Sequence, residues 1–165
     1  LGAKVIAAAS SDEKLEFVKQ LKPDYLLNYN ECDLKETVKD LTAGKGADVI
    51  YDPVGGDLFD QCCRCINWNG RLLVIGFTSG RIPSYKANLA LLKGSSMVGV
   101  FLGRFRKEEP EAYEQNFREL LNMYQEGNLN PIVTKSFALE DYIDAFNIFS
   151  QRKAMGKVTL ELKQE

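Results

Sequence analysis

Short apolar runs of strand length alternate with helix signals along the whole chain, and few folds accept that alternation. Residues 4–9, 25–28, 48–52, 71–76 and 97–101 read as strands, with helical spacing between them. The run 71–76 is almost continuously apolar, as expected of a strand covered on both faces of a parallel sheet. Ser10 and Glu13 form a capping-box pattern ahead of Leu15, Val18 and Leu21, and Pro23 stops that helix. Asp33 opens a second helix, with Leu34, Val38 and Leu41 facing inward and Gly44 past its end. A third starts at Asp57, carries Leu58, Cys62 and Ile66, and is expected to run to Asn69-Gly70. A short helix spans 88–93, and the longest spans 111–126 with Tyr113, Phe117, Leu120, Leu121 and Tyr124 on one face. After Pro131 come a strand (132–136), a helix (140–150) and a strand (156–162). The pattern predicts an α/β fold with a doubly wound parallel sheet.

Composition narrows the function. With 165 residues, 45% hydrophobic and 27% charged, the chain reads as one soluble, globular domain able to bury a core. No apolar run reaches the ~18 residues of a membrane span. The net charge of −2 argues against a nucleic-acid partner, which calls for a basic face. Histidine is absent, which removes His-based acid–base pairs and most zinc sites. Cys32, Cys62, Cys63 and Cys65 read as reduced, partly buried thiols of an intracellular protein, with no metal among them. The chain opens on Leu1-Gly2-Ala3-Lys4, without Met or a signal-peptide pattern, and runs straight into a strand. It reads as a piece of a longer chain.

In open α/β sheets, ligands sit beyond the carboxyl ends of the strands. The first strand ends at Ser10-Ser11, with Lys14 one helical turn on. A sheet that binds NAD places an acidic residue there for the ribose 2′-hydroxyl. A hydroxyl and an ammonium suit a 2′-phosphate instead, although Asp12 and Glu13 oppose it unless they point away. The bland alternative is a helix cap beside a solvated lysine. The third strand ends in Asp52-Pro53-Val54-Gly55-Gly56, the fourth in Gly76-Phe77-Thr78, and the fifth in Phe101-Leu102-Gly103. Each is an ordinary turn on its own; three in strand order fit backbone contact with a flat ligand. A phosphate-cradling GxGxxG is missing.

Taken together, GAKVIAAASSDEKLEFV (2–18), NYNE (28–31), KGADVIYDPVGGDLF (45–59), GRLLVIGFTSGRIP (70–83), ANLALLKGSSMVGVFLG (87–103) and RKAMGKV (152–158) resemble the zinc-independent quinone oxidoreductases. These are the zeta-crystallin relatives in the medium-chain dehydrogenase/reductase superfamily. The resemblance implies a Rossmann-type sheet, truncated so that the first strand and its Gly-rich turn are missing. Residues 1–130 would be a partial NADP-binding domain, and 131–165 a return segment toward a substrate domain. By position, it implies that Ser10, Lys14 and Tyr29 face the 2′-phosphate of NADP(H), and that Gly56 lies on the adenine side. Gly76, Phe77 and Thr78 would lie near the nicotinamide, and Phe101 and Leu102 would meet its carboxamide. Two departures stand out: Lys22-Pro23 where relatives usually carry Gly-Ala, and Met155 for a common Thr.

The implied activity is hydride transfer from NADPH to quinones or activated alkenes and carbonyls. No catalytic acid or base is assigned to these residues, and the piece alone is expected to be inactive. Further expectations are a cytoplasmic or mitochondrial location, no membrane partner, and a homodimer through the sheet edge from Met97 to Phe101. The alternatives are a non-enzymatic nucleotide-sensing or RNA-associating relative, and a different α/β enzyme such as a methyltransferase. The second is disfavoured because adenosylmethionine carries no phosphate for Ser10 and Lys14.

Overall fold

The computed structural model describes residues 2–151 and 153–162. Strand β1 (Ile6–Ala9) leads into helix α1 (Asp12–Lys19), then β2 (Tyr25–Asn28), α2 (Leu34–Leu41) and β3 (Ala47–Asp52). Helix α3 (Gly56–Cys65) is followed by β4 (Ile66–Val74), α4 (Ala87–Lys93) and β5 (Ser96–Gly99). The rest comprises α5 (Leu102–Glu108), α6 (Pro110–Gln125), β6 (Val133–Ala138), a single 3₁₀ turn, α7 (Tyr142–Ser150) and β7 (Lys157–Glu161). The chain divides into two compact units, Leu1–Arg104 and Phe105–Glu165. Helix α6 therefore lies in the second unit, although the sequence groups it with residues 1–130.

In the first unit every strand pair is parallel, as alternating strands and helices require. β1 pairs with β2, and β3–β4–β5 form a separate sheet, so among the described residues β1 and β3 are not joined. In the doubly wound order 3-2-1-4-5-6, that break falls at the place of the strand expected to be missing. The two sheets share one core: Leu27 from β2, Leu34 and Val38 from α2, Phe59, Cys62, Cys63 and Cys65 from α3, and Leu72 from β4. Phe59 is only 1% exposed, so truncating it to Ala would cost ~3–5 kcal/mol.

Helix α2 forms where the sequence places it. Asp33 caps it by accepting from the Glu36 N–H at 3.0 Å, and Leu34 and Val38, one turn apart, face the core. Helix α3 is shorter than expected. It stops at Cys65, and Ile66 pairs with Ala47 in the sheet. The Lys93 ammonium donates to the carbonyls of Arg64 and Ile66, 2.8 Å each, at the helix end. Between its pairings to Ala47 and Val49, β4 advances from Ile66 to Arg71, so the Asn67–Gly70 stretch bulges out. Asn69 there has φ 58°.

The second unit holds a parallel pair, β6 and β7, linked by α7 in the strand–helix–strand order read from the sequence. Ser136 and Thr159 hydroxyls meet across it at 2.9 Å. The apolar face read on the longest helix is not buried. Phe117, Leu120, Leu121 and Tyr124 remain about half exposed on α6. Helix periodicity identifies an apolar stripe; it does not supply the surface that covers it.

Candidate functional site

The first group of site residues lies at the carboxyl ends of β1 and β2. Ser11, not Ser10, caps α1, its Oγ accepting from the Lys14 N–H at 3.4 Å. That corrects the expected capping box and frees the Ser10 hydroxyl, which accepts from the Lys14 Nζ at 3.3 Å. Asp12 is turned aside, since its carboxylate accepts from Asn28 Nδ2 at 2.9 Å. Tyr29 donates its N–H to the Ala9 carbonyl at 3.1 Å, and its ring packs on the core. Asn30 Nδ2 donates to the Ser10 carbonyl at 2.8 Å. Sequence reasoning missed Asn28 and Asn30; polar residues just past a strand end are the signal that could have found them. The result is a part-buried hydroxyl–ammonium pair, chemistry suited to a phosphate monoester.

The second group joins the loops after β3 and β4. Asp52, 5% exposed, ends β3, and its Oδ1 accepts from the N–H groups of Val54 (2.8 Å) and Gly55 (3.0 Å). Thr78 and Ser79 donate their N–H groups to the Pro53 and Val54 carbonyls, and the Gly56 N–H donates to the Arg81 carbonyl. A side chain at Gly55 (φ +68°) would stand 2.9 Å from Phe77 Cδ1, and one at Gly56 (φ +60°) 2.7 Å from Ser79 Oγ. Only glycine allows both the backbone conformation and the approach of the neighbouring loop. The structure thus brings Gly56, Gly76, Phe77 and Thr78 together. Nothing in the spacing of the residues singled out Asp52 or Arg81 as the ones that tie them.

Arg81 Nη2 lies 2.9 Å from both Asp57 Oδ1 and Asp60 Oδ2 on the first turns of α3. After β5, the Val100 N–H donates to the Val74 carbonyl at 3.0 Å, which brings Phe101 beside the end of β4. Leu102 opens α5, a helix the sequence reading did not anticipate. Phe101 is 73% exposed, and its carbonyl accepts from the Arg104 N–H at 3.1 Å.

Cys62, Cys63 and Cys65 lie in the core on α3, whereas Cys32 donates its thiol to the Asn28 carbonyl at 3.1 Å, beside the first group. All four thiols are free; Cys62, Cys63 and Cys65 are buried and Cys32 is half-buried. Cys62 and Cys65 stand at Cys-x-x-Cys spacing near the carboxyl end of α3. Redox pairs of that spacing rely on a lowered thiol pKa. Here burial does the opposite, raising Cys62 and pushing Cys63 and Cys65 to about 11.

Parallel strand pairs covered by helices, with polar loops gathered beyond the strand ends, are the architecture of a doubly wound α/β sheet, whose ligands sit at those ends. The family described as "Zinc-binding dehydrogenase" matches residues 1–122, and the chain belongs to it. It is 41% identical over 164 residues to a quinone oxidoreductase-like protein 2 homolog from Nematostella vectensis, covering 99% of this chain and 45% of that protein. It is 42% identical over 163 residues to quinone oxidoreductase-like protein 2 of Bos taurus, covering 99% of this chain and 47% of the relative. The fold matches Escherichia coli quinone oxidoreductase, solved in complex with NADPH, with a TM-score of 0.88 at 25% identity. That match covers 98% of this chain and 50% of the other. The chain therefore spans about half the length of the relatives it matches.

Zinc, which the family description names, finds no fitting ligand set in these residues. Histidine is absent, and among the described residues no three Cys, Asp or Glu converge on a metal-sized site. A phosphate-bearing ligand fits better, because the Ser10 hydroxyl and the Lys14 ammonium stand together at a strand end. No helix among the described residues is long and apolar enough to cross a membrane.

Proposed function

We propose that this chain is the NADPH-binding part of an oxidoreductase that reduces quinones or activated alkenes and carbonyls. The observation that carries the reading is the Ser10–Lys14 pair, placed where an NAD-preferring sheet would carry a carboxylate. Lys14 and Ser10 would hold the 2′-phosphate, with Tyr29 beside them; Gly56, expected on the adenine side, instead packs against the loop that follows Gly76–Thr78. Gly76, Phe77 and Thr78 would line the nicotinamide, and the backbone of Phe101 and Leu102 would take its carboxamide. Bound NADPH supplies the hydride, while the protein binds and orients it. Residues 1–130 form the cofactor-binding part in this reading, and 131–165 lead toward a substrate domain. By themselves, residues 1–165 carry no catalytic acid or base and would turn over nothing.

The neighbouring surfaces suit a homodimer. Met97, Val98, Val100 and Phe101 are exposed along and beyond β5, which among the described residues pairs only with β4 and so offers an edge to a second copy. The buried, reduced thiols suit a cytoplasmic or mitochondrial compartment. Nucleic acid is not an expected partner at a net charge of −2. The reading is tested by following NADPH absorbance in the full-length protein against a panel of quinones and enones. Acceptor-dependent NADPH loss supports it; NADPH binding with no turnover on any acceptor favours a nucleotide-sensing relative instead.

A further inference from the structure

We propose that Arg81 is the positioning residue for the Gly76–Thr78 segment, holding it for the nicotinamide by clamping the following loop onto α3. The proposal rests on the NADPH reading above and adds to it the device that sets the cofactor's reactive end.

The geometry has three parts. At its near end the loop is fixed by backbone: Ile75 donates to the Asp52 carbonyl at 3.0 Å and Thr78 to the Pro53 carbonyl at 3.1 Å. At its middle, Phe77 leans into the space left by the missing side chain at Gly55, and Ser79 into that at Gly56. Its far end turns at Gly80 (φ +85°), and Arg81 is the first residue to return to α3, four residues before Tyr85 packs edge-on against Phe59. The Arg81 carbonyl accepts from the Gly56 N–H at 3.1 Å, while its guanidinium bridges Asp57 and Asp60. Asp57 and Asp60 are three residues apart and share one helix face, so a single guanidinium reaches both. Arg suits this bridge because its donors form a rigid, planar fork.

The clamp is solvent-exposed, with about half of the Arg81 side chain and nearly all of Asp57 open to water. Exposed ion pairs add little to global stability. Their effect is local: they restrict a glycine-containing loop that would otherwise sample many conformations, and rigid support of this kind is what a binding segment needs. Arg81 already faces two carboxylates, which argues against its serving as the cofactor's own phosphate ligand.

The test measures two affinities in the full-length protein by calorimetry, one for NADPH and one for adenosine 2′,5′-bisphosphate, which lacks the nicotinamide. Arg81→Met should weaken NADPH about three- to tenfold and leave the bisphosphate and the melting temperature unchanged. The double variant Asp57→Asn/Asp60→Asn should reproduce that selective loss, and Arg81→Lys should recover part of it. Equal weakening of both ligands, or no weakening of NADPH, overturns the proposal. A wild-type protein that binds neither ligand overturns the cofactor reading itself, and the proposal with it.

Discussion

The Asp52 carboxylate accepts the Gly55 N–H at 3.0 Å while almost wholly buried at the end of β3. The same oxygen takes the Val54 N–H at 2.8 Å, so one acceptor shapes the turn on which the Gly76–Ser79 loop rests. Asp52→Ala leaves both donors without that partner, at ~1–3 kcal/mol for each donor that stays buried. Asp52→Asn keeps the acceptor oxygen and should cost distinctly less. Urea melts of the two variants check this; equal losses would mean that the charge, not the acceptor geometry, matters.

Lys22 occupies the left-handed region, with φ 54°, just before Pro23. A side chain there costs ~1–2 kcal/mol, partly offset by the looser unfolded chain that glycine brings. Lys22→Gly should therefore stabilise by about 0.5–1 kcal/mol. A lower melting temperature for the glycine variant would contradict it. Sequence comparison pointed to this position as a departure from Gly, and the backbone supplies the physical reason.

Alkaline pH should weaken the first unit. Burial raises the Cys63 and Cys65 thiols from 9.0 to about 11 and Cys62 further. A raised folded pKa gives stability that is complete below 9.0 and is lost as pH rises through about 11, because the unfolded thiols release protons first. Lys93 works in the opposite sense: burial lowers its pKa, so stability gains on approaching its ordinary 10.5. Three thiols outweigh one amine. Urea midpoints should fall between about pH 8 and about pH 10.5; a flat or rising profile would refute the assignment.

Residues 1–165 expressed alone should be loosened or self-associating. Among the described residues β1 pairs on one side with β2, and β3 on one side with β4, which leaves an open edge on each. Val5, Val49 and Tyr51 are about half or more exposed near those edges. Unpaired strand edges with apolar side chains recruit other strands. Sedimentation velocity checks this, and a sharp monomer with a cooperative melt would count against it.

Much of this structure was legible because local chemistry and global fold agree. The Asp33 cap, the β2 limits Tyr25–Asn28 and the parallel order of β3, β4 and β5 follow from capping residues, turn residues and apolar runs. Boundaries were lost where tertiary contacts overrule spacing. Leu58, Cys62 and Ile66 fit one helix face, yet Ile66 joins the sheet and Lys93 holds the carbonyls at the helix end. The capping-box spacing to Glu13 favours Ser10 in the sequence, and only geometry shows Ser11 capping while Ser10 meets Lys14. Arg81 was invisible because its partners lie 24 and 21 residues away.

Cofactor preference is the most direct measure of the central claim. Dissociation constants for NADPH and NADH should be determined for the full-length protein and for Lys14→Ala. The Ser10–Lys14 pair predicts that the wild type prefers NADPH. It also predicts that Lys14→Ala loses ~1–3 kcal/mol toward NADPH, the range of a charged hydrogen bond, with no loss toward NADH. Equal affinities in the wild type, or equal losses for both cofactors in the variant, would show that Lys14 does not read the phosphate.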